Sequence, residues 1–124
     1  MSTDDHQRGE QIRSMIVKAL GHLAEPADRQ VRHLERVFGR SPLPADFNVD
    51  ELALEFNDVA LAAHLAVKVG TMTADAAAAL ADVDDALTDM SGTAKALLWT
   101  VGAIFDTAEW VEIRRLAAAA LAKL

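Results

Sequence analysis

Along this chain, stretches in which apolar side chains recur every three or four positions are separated by short breaks carrying glycine, proline or a capping residue. That recurrence is the helical period, and no stretch sustains the alternation of a half-buried strand. A first helix is predicted from about His6, capped by Asp4 or Asp5. It presents Ile12, Met15, Ile16, Ala19, Leu20 and Leu23 as one apolar stripe, with Gly21 a weak point near its end. Pro26 suits the first turn of a second helix, where its missing N–H is not needed. Val31, Leu34, Val37 and Phe38 make the apolar side of that helix, and Gly39 supplies a stop. Ser41-Pro42-Leu43-Pro44 cannot continue a helix and forms a rigid connector.

Asn48 followed by Glu51 resembles a capping box ahead of a long third helix that runs to about Val69 and closes at Gly70. At about 100° per residue, Val49, Leu52, Phe56, Val59, Ala63 and Val67 share one face, with Leu54, Leu61, Leu65 and Val69 roughly opposite. A helix apolar on two sides belongs at the centre of a bundle or against a second subunit. Thr73 caps a fourth helix from Ala74 to about Met90, which Ser91-Gly92 ends. A fifth helix, Ala94 to Phe105, precedes a last one over Thr107 to Lys123, with Asp106 and Glu109 as its capping box; a single helix bent at Gly102 is the alternative. The expected fold is an all-α, single-domain bundle of five or six helices with short connections, spanning residues 6–124 behind a flexible segment 1–5.

Composition narrows the chemistry. Apolar residues make up 52% of 124, enough for a core, although alanine supplies much of that share. Cysteine is absent, which excludes disulfides, thiolate metal sites and a cysteine nucleophile. The N-terminus has no apolar segment of a secretory signal, and the most apolar stretch, Ala96 to Phe105, is half the length a membrane span needs. A soluble cytoplasmic protein without a membrane partner is expected. The net charge of −7 is uneven: residues 1–40 carry seven basic and six acidic side chains, residues 41–124 five basic and thirteen acidic. Phosphate backbones repel such a surface, so a basic protein partner is expected and nucleic acid is not.

The acidity is most ordered on the fourth helix. Ala76, Leu80, Val83, Leu87 and Met90 form its core face, while Asp75, Asp82, Asp85 and Asp89 form a second row flanked by Asp84. Like charges at this spacing cost each other a few tenths of a kcal/mol, and Asp85 and Asp89 sit towards the wrong end of the helix dipole. Local cost without local benefit marks a candidate partner-binding row. The second helix carries the opposite stripe, Arg29, Arg32 (or His33), Arg36 and Arg40, suited to an anion or to acids of another helix or subunit.

Glu51, Glu55 and Asp58 share one side of the third helix, where carboxylate oxygens could hold Mg²⁺. The stretch Glu55-Phe56-Asn57-Asp58, followed by Val59-Ala60-Leu61, resembles the second half of the metal motif in all-α nucleotide pyrophosphatases of the MazG type. That resemblance implies a metal-dependent nucleotide hydrolase. The two Glu residues that a preceding helix contributes in that family have no counterpart here. His6, His22, His33 and His64 show neither a zinc nor a di-iron spacing, and no serine has a nucleophile-elbow context. No metal or other cofactor is expected. Trp99 and Trp110 fit core positions.

These features favour a small acidic protein-binding module over an enzyme: an inhibitor, immunity-type or regulatory protein docking on a basic surface. A homodimeric scaffold using the spare face of the third helix is the other binding reading.

Overall fold

The computed structural model describes residues 3–124, and among them seven α-helices and one 3-10 helix make an all-α bundle. The helices are α1 Thr3–Ala24, α2 Ala27–Phe38, α3 Glu51–Ala60, α4 Ala63–Lys68, α5 Ala74–Asp89, α6 Val101–Asp106 and α7 Ala108–Leu121; the 3-10 helix, Thr93–Trp99, precedes α6. The expectation of five or six helices is therefore corrected to seven. Two breaks divide what the period joins, one of local and one of long-range origin. After Ala60 the chain tightens, with Ala62 N–H donating to Val59 O at 3.1 Å, and re-enters a helix at Ala63. The two short helices it creates both lie on α1. Further on, Thr100 is extended (φ −122°, ψ 158°) and separates the 3-10 helix from α6. Its backbone pairs with Asn48 in an isolated antiparallel bridge, flanked by Val49 N–H to Trp99 O and Val101 N–H to Phe47 O, each 3.0 Å. Its hydroxyl also accepts from Ala103 N–H at 3.2 Å, starting α6.

The long α1 occupies the centre, packed against α3, α4 and α7, and α7 also packs against α5. Ile16, Leu20 and Leu23 of α1 are fully buried, as the apolar stripe requires, whereas Met15 from the same stripe is half exposed. The central place expected of the third helix thus falls to α1. Leu52, Phe56 and Val59 of α3 face inward, while Leu54 and Leu61 on the opposite side are 50% and 81% exposed. Trp99 and Trp110 pack edge to face, ring centroids 5.6 Å apart, and each indole N–H donates at 2.7 Å to a carbonyl, of Met90 and Leu98 respectively. Such buried, satisfied aromatics anchor a core strongly.

Gly9 marks the closest approach between elements. It is buried in α1, and a Cβ there would lie 2.3 Å from Val69 Cγ2 and 2.6 Å from Thr71 Oγ1, on the turn between α4 and α5. Met1 and Ser2 of the expected flexible segment lie outside the described residues, and Thr3–Asp5 form the first turn of α1. Among the described residues no helix is long and apolar enough to cross a membrane.

Candidate functional site

The helix α2 is held to the bundle in an unusual way. Of its twelve residues only Gln30, His33 and Leu34 are buried. Val37 and Phe38, expected on its apolar side, are each nearly half exposed. Two of the three anchors are polar, so hydrogen bonds must compensate their loss of water. Gln30 Nε2 donates to the carbonyls of His22 and Leu23, at 3.2 and 3.0 Å, and its Oε1 accepts from Arg114 Nη1 at 3.0 Å. Burial lowers the pKa of the Arg114 guanidinium, which also donates to Ile104 O at 3.1 Å.

The second polar anchor, His33, points its Nε2 at both oxygens of Glu55 on α3, 2.8 and 3.0 Å away. The ring of His22 from α1 stacks on it, with centroids 3.6 Å apart and planes 12° from parallel. His22 Nδ1 is buried without a hydrogen bond, its nearest acid being Glu25 at 3.8 Å. Burial, and then the neighbouring His33, hold the His22 imidazole below the ordinary histidine pKa. These groups border a groove of about 480 Å³ between α1, α2 and α3, whose rim includes Lys18, Asp58 and the exposed Met15 and Val37. The histidines, scattered in the sequence, thus contribute two members to one constellation.

Of the carboxylates proposed for Mg²⁺, Glu55 is engaged by His33, Glu51 is half-buried and Asp58 is exposed. Among the described residues no three His, Asp or Glu side chains are grouped so as to hold a metal ion. The acidic row is fully displayed: Asp75, Asp82, Asp85 and Asp89, with Asp84 beside them, are all exposed. None makes a salt bridge among the described residues, whereas Glu10, Glu25, Glu55 and Glu112 each face a basic or imidazole group. Arg29, Arg32, Arg36 and Arg40 are likewise exposed and without salt bridges among the described residues, so the two stripes do not answer each other within the fold. Arg40 instead places its guanidinium 5.6 Å from the Phe47 ring, which Phe38 meets edge-on.

The acidic row and the core face of α5 were legible from periodicity, and Thr73 starts that helix as expected, accepting from Ala76 N–H at 3.1 Å. The imidazole pair was not. Its members are eleven residues apart across a turn, and Glu55 is twenty-two further along; only the tertiary fold, which brings α1, α2 and α3 around one groove, joins them. The one sequence signal available was a histidine lying beside the apolar side of α2, next to Leu34. Comparison with known proteins returns no match: no family model, no curated protein and no solved structure.

Proposed function

We propose that this chain acts by binding, as a small helical module that presents the acidic face of α5 to a basic protein surface. The observation that carries this reading is the ordered row of Asp75, Asp82, Asp85 and Asp89 along one helix, exposed and without salt bridges among the described residues. Four unpaired like charges along one helix cost local stability. They also create a one-sided field that speeds and orients encounter with a cationic patch. An inhibitor, an immunity-type protein or a regulatory subunit would use such a face in the same way.

The test is charge reversal. Immobilised wild-type chain should retain basic proteins at low salt and release them as ionic strength rises. Asp82→Lys with Asp85→Lys should keep the helical circular dichroism and lose that retention. Equal retention by the reversed variant would mean the row is only a solvated face. A second reading, a homodimeric scaffold, draws on the exposure of Leu54 and Leu61 on one side of the α3–α4 region. Light scattering tests it: a dimer should revert to monomer on Leu61→Lys, and a wild-type monomer at high concentration would remove this reading.

A further inference from the structure

We propose that the trough between α3 and α5, rimmed by Leu54 and Leu61, is the docking site for a basic amphipathic helix of a partner protein. The site rests on the acidic-face reading above and gives the partner a shape as well as a charge. Leu54, Asp58 and Leu61 follow one another at i, i+4 and i+7, so they form one outward row on α3. All three are exposed, the leucines by 50% and 81%. Leu61 keeps helical dihedrals (φ −59°, ψ −27°), so the two leucines stand about 10 Å apart along the helix.

A single exposed leucine is ordinary on a protein surface. Here each edges a concavity. Leu54 borders a groove of about 410 Å³ that reaches Ser91, Gly92 and Thr93 beyond the end of α5. Leu61 borders a second, of about 440 Å³, whose far wall is Ala77 and Ala81 of α5. Asn57 lines both, so they run end to end as one trough, with buried Ala53, Ala63 and Leu80 among its lining. Two turns of a helix laid along such a trough place apolar side chains at i, i+3 or i+4, and i+7 against the leucines.

Charge selects the occupant. The charged residues lining the trough are Asp50 at one end and Asp84 at the other, with no lysine or arginine between them. Asp58 stands in the leucine row, and Asp85 follows Asp84 on the outer side of α5; all four are exposed. Lys18 shares a different groove with Asp58, and the two form no salt bridge among the described residues. A helix seated on the leucines therefore meets carboxylates on both flanks, and lysine or arginine there answers them. A second copy is the poorer occupant. Its net charge of −7 repels this one, and a two-fold dimer through the same face would set aspartates against aspartates.

Fluorescence anisotropy on the whole chain tests this with a labelled helical peptide of about 18 residues, leucines at i, i+3, i+4 and i+7 and lysines elsewhere. Wild type should bind it about tenfold more tightly than a scrambled peptide of the same composition, and than a version with glutamate for lysine. Leu54→Ser with Leu61→Ser should keep the helical circular dichroism and erase the preference over the scrambled peptide; Leu61→Ser alone reads the same outcome should the pair not fold. Equal binding of the ordered and scrambled peptides by wild type, or a preference that survives loss of the leucines, would overturn the proposal. So would wild-type dimers in light scattering that the leucine substitutions dissolve, since the trough would then belong to a second copy. Asp82→Lys with Asp85→Lys separates the two readings. If that reversal abolishes binding while the scrambled peptide binds as well as the ordered one, the trough fails and the acidic row stands. If binding needs the leucines but ignores the reversal, the trough stands and the row fails.

Discussion

Replacing Gln30 by leucine keeps most of the side-chain volume and removes every polar bond that joins α2 to the rest of the molecule at this point. Gln30 has no exposed surface. The two carbonyls it serves, of His22 and Leu23, lie in the last turn of α1, where a helix leaves its carbonyls without internal partners. Gln30 thus caps α1 from the neighbouring helix. Losing the two bonds should cost about 1 kcal/mol each, and the charge-assisted bond from half-buried Arg114 about 2 kcal/mol more. Better apolar burial of leucine offsets about 1 kcal/mol. The expected net loss is about 3 kcal/mol, large against the roughly 5–15 kcal/mol that holds a domain of this kind together. Urea unfolding followed by tryptophan fluorescence and circular dichroism measures it directly. Arg114→Leu supplies the control: it removes the same charged bond, so the double variant should lose about 1–2 kcal/mol less than the sum of the two. A Gln30→Leu protein within about 0.5 kcal/mol of wild type, or strictly additive losses, would refute the account of α2 as a helix seated by polar bonds.

Gly9→Ala should destabilise by about 1–2 kcal/mol, because Val69 and Thr71 occupy the space of the new methyl, although alanine in an open helix would gain about 1 kcal/mol; a stabilised variant would mean the contact yields easily. Thr73→Ala removes the cap on α5 and should cost about 1 kcal/mol in urea unfolding, with Thr73→Asp close to wild type; equal loss in both would point away from capping. The stability of the whole chain should fall between pH 7.5 and pH 5.5 more steeply in wild type than in His22→Phe, since the lowered His22 pKa disfavours protonation of the folded form. Parallel urea midpoints for the two proteins across that range would show that His22 does not contribute.

Helix existence was readable where local chemistry and period agreed. On α5, Ala76, Leu80, Val83, Leu87 and Met90 are all buried as their spacing demands. Gly39 ends α2 in the left-handed conformation at φ 61°, as a stop signal there requires. Two of the misplaced boundaries come from competition among several adequate capping residues. Asn48 accepts from Asp50 N–H at 2.7 Å and so shapes the turn before α3, leaving that helix without the expected box. Thr107, not Asp106, accepts from Trp110 N–H and starts α7. The break at Leu61-Ala62 carries no glycine or proline, and that at Thr100 depends on pairing with Asn48, fifty-two residues earlier. The polar seating of α2 was invisible for a related reason. The helical period ranks Val37 and Phe38 above Gln30 and His33, and only the tertiary partners of the latter, Arg114 and Glu55, reverse that order.

The central place of α1 also has a consequence for how the chain is made. Its main partner at one flank, α7, begins at Ala108, more than eighty residues after α1 ends at Ala24. At roughly 5–20 residues per second of synthesis, Ile16, Leu20 and Leu23 emerge several seconds before the surface that covers them. In that interval α3 and α4 can shield only part of the stripe. The nascent chain therefore carries an exposed amphipathic helix until α7 has left the ribosome, and a ribosome-bound chain lacking α7 should be the species that general chaperones recognise most strongly.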